Sequence, residues 1–195
     1  MPFGYNESSI STAPGYLGKS GAGFNYSQVN RRTLGKIDEP EFFVTYAQTS
    51  LLLAEAVQRG FATGTVATLY AAGVKAHMDQ MAQVDVTAII PAVAQAAYFA
   101  LNPFDPTKAL QQINTQYWIA SFLNGNEAWA NYRRSGFPVL AVNPYPFADP
   151  SVAGGYVHRL PYPLREQSVN SVNYSAAVSH NGGPDNLATR IFWDK

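Results

Sequence analysis

Residues 41–123 carry apolar side chains three and four positions apart, which is the spacing of one helix face. This periodicity constrains the fold more than any other feature of the sequence. It predicts a first helix that ends at Gly60, with a C-terminal glycine as its stop signal. The positions expected to be buried are Phe42, Tyr46, Thr49, Leu53 and Val57.

A second helix is predicted to begin after Thr63 and to form an antiparallel hairpin with the first. Gly73 and Ala76 are small enough to let a neighbouring helix approach closely. Its expected buried stripe is Val66, Tyr70, Val74, His77 and Met81.

Residues 85–123 predict a second helix pair. Pro91 should precede or kink a short helix, because proline cannot continue a helical hydrogen-bond pattern. Asp105 and Pro106 then predict the cap and first position of a longer helix. Its expected inward face is Leu110, Ile113, Tyr117 and Ala120.

The stretch NGNEAWANYRRSGFP, residues 124–138, predicts a short helix that needs no chemistry to explain its polar residues. Asn126 is the expected cap, with Glu127 in the first turn, and Gly136 and Pro138 end the helix. Arg133 and Arg134 stabilise the C-terminal end of such a helix, although an anion site is the alternative interpretation.

The remaining segments have no sustained helical period. Residues 1–40 are rich in Gly, Ser, Asn and Tyr, and predict an irregular segment with exposed aromatic side chains. Residues 139–195 contain prolines that argue against helices and central strands, and predict an ordered loop with extended pieces. The expected fold is mostly α, with tetratricopeptide-like hairpins at 41–123, a helical corner at 124–138 and a long, loop-rich C-terminal segment. Two hairpins need a further element to cover their open side.

Composition excludes several functions. Thirteen basic residues balance thirteen acidic ones, so no net field attracts nucleic acid. The chain has no cysteine, which removes thiol catalysis and thiolate metal sites. The three histidines, His77, His158 and His180, lack the one-turn spacing of a metal site. We predict no metal, no cofactor and no catalytic residue.

Five motifs occur in an order that resembles the C-terminal part of the SusD/RagB family of outer-membrane glycan-binding lipoproteins. They are FVTYAQTSLLLAEAVQRG, AAGVKAHM, INTQYWIASFLNGNEAWANYRRSGFP, RLPYPLREQSVN and GGPDNLATRIFWD, between about residues 38 and 194. The most specific positions are Asn124, Gly125, Glu127, Trp129, Arg133, Arg134, Gly136, Pro138, Arg159, Pro161, Tyr162, Pro163, Glu166 and Asn170.

The resemblance implies a non-catalytic protein that holds an oligosaccharide or another nutrient at the cell surface. Its implied partner is a SusC-like TonB-dependent outer-membrane transporter. Members of the family are several hundred residues long and begin with a lipoprotein signal whose cysteine is acylated, and neither feature is present in these 195 residues. We therefore expect a C-terminal fragment in which residues 41–195 form part of a SusD-like domain.

The family's sugar contacts vary between members and lie mostly on loops, so residues 124–138 are interpreted as a structural corner. We expect Glu166 to form an ion pair with Arg133 or Arg134. Tyrosine offers a flat face for a sugar ring and a hydroxyl for hydrogen bonds. The expected ligand contacts are therefore the loop residues Tyr5, Tyr16, Tyr26, Tyr145 and Tyr156.

Two other functions are compatible with the sequence. The first alternative is a helical-repeat scaffold that binds a protein or peptide and no sugar. The second is a glycosidase, which needs two facing carboxylates. Glu127 or Glu166 is available as one of them, but nothing in the sequence nominates a second.

Overall fold

A computed structural model of the chain describes residues 29–30, 32–140, 150–152 and 155–194. Short 3-10 turns occur at Val86–Ala88, Pro106–Lys108 and Pro150–Val152. The α-helices formed by the described residues are α1 (Tyr46–Gln58), α2 (Val66–Val84), α3 (Ala92–Leu101), α4 (Ala109–Ala120), α5 (Gly125–Ser135), α6 (Leu164–Val169) and α7 (Ser171–His180). The mostly helical, tetratricopeptide-like fold expected from the sequence is confirmed.

The chain divides into two compact units, Met1–Ala128 and Trp129–Lys195. In the first unit, α1 contacts both α2 and α4, and α2 also contacts α4. The core where these three helices meet consists of Leu51, Ala54, Tyr70, Val74, Ala109, Ile113 and Tyr117. Burial of this apolar surface supplies most of the free energy that holds the unit together.

The predicted hairpin of α1 and α2 is present, and its close approach occurs at Gly73 as expected. A Cβ atom at this position would lie 2.7 Å from Leu51 Cγ and 3.1 Å from the carbonyl oxygen of Ala47. Thr45 begins α1 with a capping box, in which its hydroxyl accepts from the Gln48 backbone N–H at 3.1 Å.

The predicted buried face of α1 is wrong. Tyr46 is 72% exposed and Leu53 is 42% exposed, whereas Ala47, Leu51 and Ala54 are buried. The physical reason is the close contact with α2, where Ala47 and Leu51 lie against Gly73. Tyr46, Leu52 and Leu53 lie away from this contact and are exposed.

The sequence placed the start of α3 correctly, but α4 is shorter than expected and ends at Ala120 rather than near Gly125. α3 begins directly after Pro91, and Pro106 begins the 3-10 turn that leads into α4. The Asp105 side chain accepts from the Thr107 N–H at 2.9 Å. Ile113 and Tyr117 of α4 are buried as expected. The Gln116 amide donates to the Tyr98 hydroxyl at 2.7 Å and so links α4 to α3.

The cap of α5 differs from the expected one. Asn124, rather than Asn126, accepts from the Glu127 N–H with its side-chain oxygen, at 3.3 Å. The helix begins two residues earlier than the pattern indicated, at Gly125. Its end is as predicted, since Gly136 follows Ser135 with φ of 75°, a conformation that glycine adopts without strain.

The second unit contains two helices that the sequence analysis missed. α6 begins directly after Pro163, where proline is well tolerated because the first N–H groups of a helix have no internal acceptor. α7 follows at once and contacts α6. The prolines in this segment therefore precede a helix rather than exclude one.

No single helix among the described residues is long and apolar enough to cross a bilayer. The stretches Val86–Leu101 and Pro106–Ala120 meet the length and composition criteria only as a pair bent by 85°.

Candidate functional site

A groove of about 470 Å³ lies in the first unit. Its walls are the segment 34–42 that precedes α1, one face of α2, and the end of α4 with the residues that follow it. This volume is in the range of pockets that bind small molecules.

The α2 wall consists of His77, Gln80, Met81 and Val84. These residues are three, four and seven positions apart, so they lie on one helix face. Val84 is buried, and the other three are half-buried. The α2 wall therefore offers one apolar strip flanked by an imidazole and an amide.

The α4 wall contains Trp118 and, beyond the helix, Leu123 and Asn124. Tyr117 is buried in the core, and successive helix residues point about 100° apart, so Trp118 points away from the core face. Its indole is half-buried and lines the groove. Phe42, from the segment before α1, supplies a second aromatic ring to the lining.

The floor of the groove is polar and fixed. Gln48 is 6% exposed, and its side-chain oxygen accepts from the Thr45 N–H at 3.0 Å. Its amide nitrogen lies 3.4 Å from the Ser121 hydroxyl, which links the start of α1 to the end of α4. Hydrogen bonds at both ends of the amide hold this side chain in one orientation.

An ion pair between Lys36 and Asp85 fastens the segment before α1 to the end of α2. The hydrogen bond from the Lys36 ammonium holds the pKa of Asp85 below its usual range, with help from Thr87. The same hydrogen bond raises the pKa of Lys36. Both groups therefore stay charged at neutral pH, and the pair keeps one wall of the groove in place.

Burial lowers the pKa of His77 below its ordinary value, because the protonated ring loses solvation. The imidazole is therefore neutral at pH 7. A neutral imidazole has one donor and one acceptor nitrogen for a polar ligand. The expectation that His77 is a packed helix residue holds in part, since the ring is half-buried but also lines the groove.

Comparison with known proteins identifies the family. Residues 6–163 match the SusD-like family described as "starch-binding associating with outer membrane". The chain belongs to the SusD-like family. The match begins at residue 6, upstream of the motifs recognised in the sequence, which start at about residue 38. No curated protein matches the chain.

Solved structures agree with this assignment. A chitin-binding protein is 34% identical, with a TM-score of 0.70 over 80% of this chain and 34% of its own. A SusD-like protein described as Bacteroidetes AC2a is 31% identical, with a TM-score of 0.72 over 81% of this chain and 31% of its own. A chitin-binding SusD homologue from Flavobacterium johnsoniae is 31% identical, with a TM-score of 0.61 over 76% of this chain and 36% of its own. The chain spans about a third of the length of these relatives.

The SusD-like motif residues of the first unit contact other residues of that unit. The Tyr117 hydroxyl donates to the Glu127 carboxylate at 2.8 Å, and Asn124 caps α5. Gly125 begins α5, and no atom lies within 4 Å of the position that a Cβ atom would take there. These contacts join the end of α4 to the start of α5.

In the second unit, the motif residue Arg133 contacts two tryptophans and the backbone of the C-terminal segment. Its guanidinium carbon lies 3.7 Å from the ring centroid of Trp129 and 4.5 Å from that of Trp193. One guanidinium nitrogen donates to the His158 carbonyl at 2.9 Å, and Trp129 donates to the Val157 carbonyl at 2.8 Å. Cation–π contacts with two indoles hold the arginine against the C-terminal segment. Arg134 donates to the Asn131 side chain at 2.7 Å, and Gly136 and Pro138 follow α5.

The expected ion pair of Glu166 is wrong. Its carboxylate accepts from the Asn170 side chain at 2.9 Å, and neither Arg133 nor Arg134 pairs with it among the described residues. Among the described residues of this unit, a buried ion pair joins Arg159 to Asp185 at 2.9 Å. Glu166 lies in the first turn of α6, where its charge is favourable to the helix dipole. Pro161 and Pro163 flank Tyr162, whose N–H donates to Asp185 at 3.1 Å.

Most of the tyrosines proposed as ligand contacts lie outside the described residues, namely Tyr5, Tyr16, Tyr26 and Tyr145. Tyr156 is described and half-buried, and its ring packs edge-on against Tyr132 at 5.4 Å between centroids. It does not line the groove.

The sequence analysis missed Trp118 and Phe42. A usable signal was present in QYWIA, because Tyr117 and Trp118 are adjacent and cannot both point into the core of one helix. An aromatic residue off the buried face is a reasonable candidate for a ligand contact. The contribution of segment 34–42 depends on how it folds back onto α2, and no local pattern encodes that.

Proposed function

We propose that this chain is a non-catalytic part of a SusD-like protein that binds oligosaccharide at the outer-membrane surface. The observation that carries the proposal is the lining of the groove, which combines the aromatic rings of Trp118 and Phe42 with the polar groups of Gln80 and Asn124. Sugars present apolar ring faces together with hydroxyl groups, so such a lining matches both parts of the ligand.

The first ligand to consider is a chitin-derived oligosaccharide. Two of the solved relatives are described as chitin-binding, and both are more than 30% identical to this chain. A starch-derived oligosaccharide is the second, because the family description names starch. Both are chains of uncharged pyranose rings that the two aromatic residues are able to stack against.

The loop tyrosines remain a further proposal. We propose that Tyr5, Tyr16, Tyr26, Tyr145 and Tyr156 extend the binding surface, because their neighbours in the sequence are mostly small and polar residues. Alanine at all five positions is expected to weaken glycan binding. If the variant bound glycan with unaltered affinity, the glycan contacts would be confined to the groove.

The proposed partner is a SusC-like TonB-dependent transporter, to which the protein would deliver the glycan. We also propose that the functional protein is longer than this chain, as its solved relatives are. The exposed apolar residues Phe43, Val44, Tyr46 and Leu52 are 84%, 79%, 72% and 44% exposed, and they favour a surface covered by another part of that protein or by the partner.

Isothermal titration calorimetry with chitin and starch hexasaccharides tests the binding. We expect one of the two to bind, and Trp118→Ala and Phe42→Ala each to weaken it about tenfold or more, as loss of a central aromatic contact usually does. Phe43→Ala is the matched control, because Phe43 is 84% exposed and does not line the groove. It should leave the affinity unchanged.

Two outcomes would overturn the proposal. If neither these sugars nor a broader glycan array showed binding while the chain still bound the transporter, the protein would be an interaction scaffold. New reducing ends in the glycan after incubation would instead make it a glycosidase.

A further inference from the structure

Negative charge predominates among the charged residues that line the groove. Its lining includes a single lysine, Lys36, and two glutamates, Glu39 and Glu41. Asp85 already neutralises Lys36 through a direct ion pair, and the Asp38 and Glu39 carboxylates lie near enough to act on the same ammonium. Three carboxylates thus act on one cation, and Glu41 adds a further negative charge to the lining.

The two glutamates are available to a ligand. Glu39 is half-buried and Glu41 is exposed. Among the described residues, neither of them forms an ion pair. A cleft lined by one sign of charge focuses its field and concentrates ligands of the opposite sign.

Among the described residues, the other walls of the groove do not compensate this charge. The α2 wall contributes His77, Gln80, Met81 and Val84, and the end of α4 contributes Trp118 and uncharged residues after it. Burial disfavours the protonated form of His77, so the ring adds no cation at neutral pH. The groove is therefore aromatic at one side and anionic at its rim.

We infer that the groove prefers an oligosaccharide with free amino groups, such as de-N-acetylated chitin, whose ammonium groups bind Glu39 and Glu41 while a sugar ring lies against Trp118. This inference rests on the proposed function, since it specifies the ligand of the same groove. Uronic-acid and sulfated glycans are excluded by the same carboxylates, because like charges repel.

Charge-assisted hydrogen bonds between an ammonium and a carboxylate are short and strong, but water screens them at an exposed rim. Two such pairs together should raise the affinity about threefold to tenfold at low ionic strength. Added salt should reduce that gain, because the screening length falls to about 3 Å at 1 M.

The test compares a glucosamine hexamer with an N-acetylglucosamine hexamer, titrated by calorimetry into the full chain at about pH 6.5. At this pH amines with a pKa near that of an α-amino group, about 7.7, are mostly protonated, and the neutral form of His77 still predominates. We expect the glucosamine hexamer to bind about threefold to tenfold more tightly, and the preference to disappear in high salt. An oligogalacturonate should show no binding.

Glu39→Gln combined with Glu41→Gln should abolish the preference while leaving N-acetylglucosamine binding intact. The matched control is Asp79→Asn combined with Glu166→Gln, which removes the same net charge at positions that do not line the groove. The control should keep the preference, which separates a local contact from general attraction to an acidic surface.

The failures of the two proposals are distinguishable. Binding of the N-acetylated hexamer that depends on Trp118 but shows no preference for amines would overturn this inference alone. Equal loss of preference in both double variants would also overturn it. Absence of binding by every glycan would overturn the proposed function, and this inference with it.

Discussion

Gly73 of α2 faces Leu51 of α1 so closely that a Cβ atom added to the glycine would lie 2.7 Å from Leu51 Cγ. Leu51 is 1% exposed, and the carbonyl oxygen of Ala47 bounds the same space. The hairpin therefore depends on the absence of a side chain at this position.

Gly73→Ala should destabilise the protein. Alanine is about 1 kcal/mol better than glycine inside a helix, but overpacking a closed contact costs about 1 to 3 kcal/mol and here includes a backbone atom. We expect the free energy of unfolding to fall by up to about 2 kcal/mol in urea titrations.

Gly125→Ala is the matched control for that variant. Gly125 begins α5, and no atom lies within 4 Å of a Cβ placed there. The substitution should be neutral or stabilising by up to about 1 kcal/mol. A stabilising effect of both alanines would contradict the close packing of α1 against α2.

The Arg159–Asp185 ion pair should dominate the stability of the second unit. Their side chains are 9% and 6% exposed, and Asp185 also accepts from the Tyr162 N–H and the Tyr174 hydroxyl. Arg159→Ala leaves a buried carboxylate without its cation, so we expect a loss of about 3 to 5 kcal/mol. Denaturant unfolding followed by tryptophan fluorescence measures it.

Glu166→Gln is the comparison for this pair, because Glu166 bonds to Asn170 and to no described cation. It should cost less than about 1 kcal/mol. If Glu166→Gln lowered the free energy of unfolding more than Arg159→Ala does, Glu166 rather than Asp185 would be the carboxylate that forms the stabilising ion pair.

Burial of His77 should make stability depend on pH. Its folded pKa lies below the unfolded value of about 6.5, so the unfolded chain binds the extra proton first as the pH falls. Stability is fully present above about pH 6.5 and is lost as the pH falls from there towards the folded pKa.

His77→Gln should flatten this part of the stability curve, measured as the urea midpoint between about pH 7.5 and pH 5. His180→Gln should not, since His180 is exposed at the end of α7. An unchanged slope in His77→Gln would assign the pH dependence to another group.

Local signals predicted much of the helical fold. Pro91, Asp105 and Pro106 marked helix starts correctly, because proline and capping side chains act within a few residues. The buried face of α1 was not predictable in the same way. Tyr46 and Leu53 fit the helical period as well as Leu51 does, and only the contact with Gly73 shows that the face of Ala47 and Leu51 is the buried one.

Among the candidate-site residues, too, those marked by local motifs were predicted and those brought together by distant contacts were not. The motif arginines were recognised, but the stacking of Arg133 between Trp129 and Trp193 joins positions 64 residues apart and leaves no local trace. Glu166 was predicted to pair with Arg133 or Arg134 for the same reason, whereas it bonds to Asn170, and a buried ion pair joins Arg159 to Asp185. Residues of the groove meet only after segment 34–42 folds back onto α2.

The most direct test of the account is an NMR titration of the three tryptophan indole N–H signals with the bound hexasaccharide, assigned by single Trp→Phe variants. The account predicts that the Trp118 signal shifts in proportion to saturation. The Trp129 indole, hydrogen-bonded to the Val157 carbonyl, and that of Trp193, stacked on Arg133, should stay in place. Glycan binding that saturates without any change at Trp118 would contradict the account.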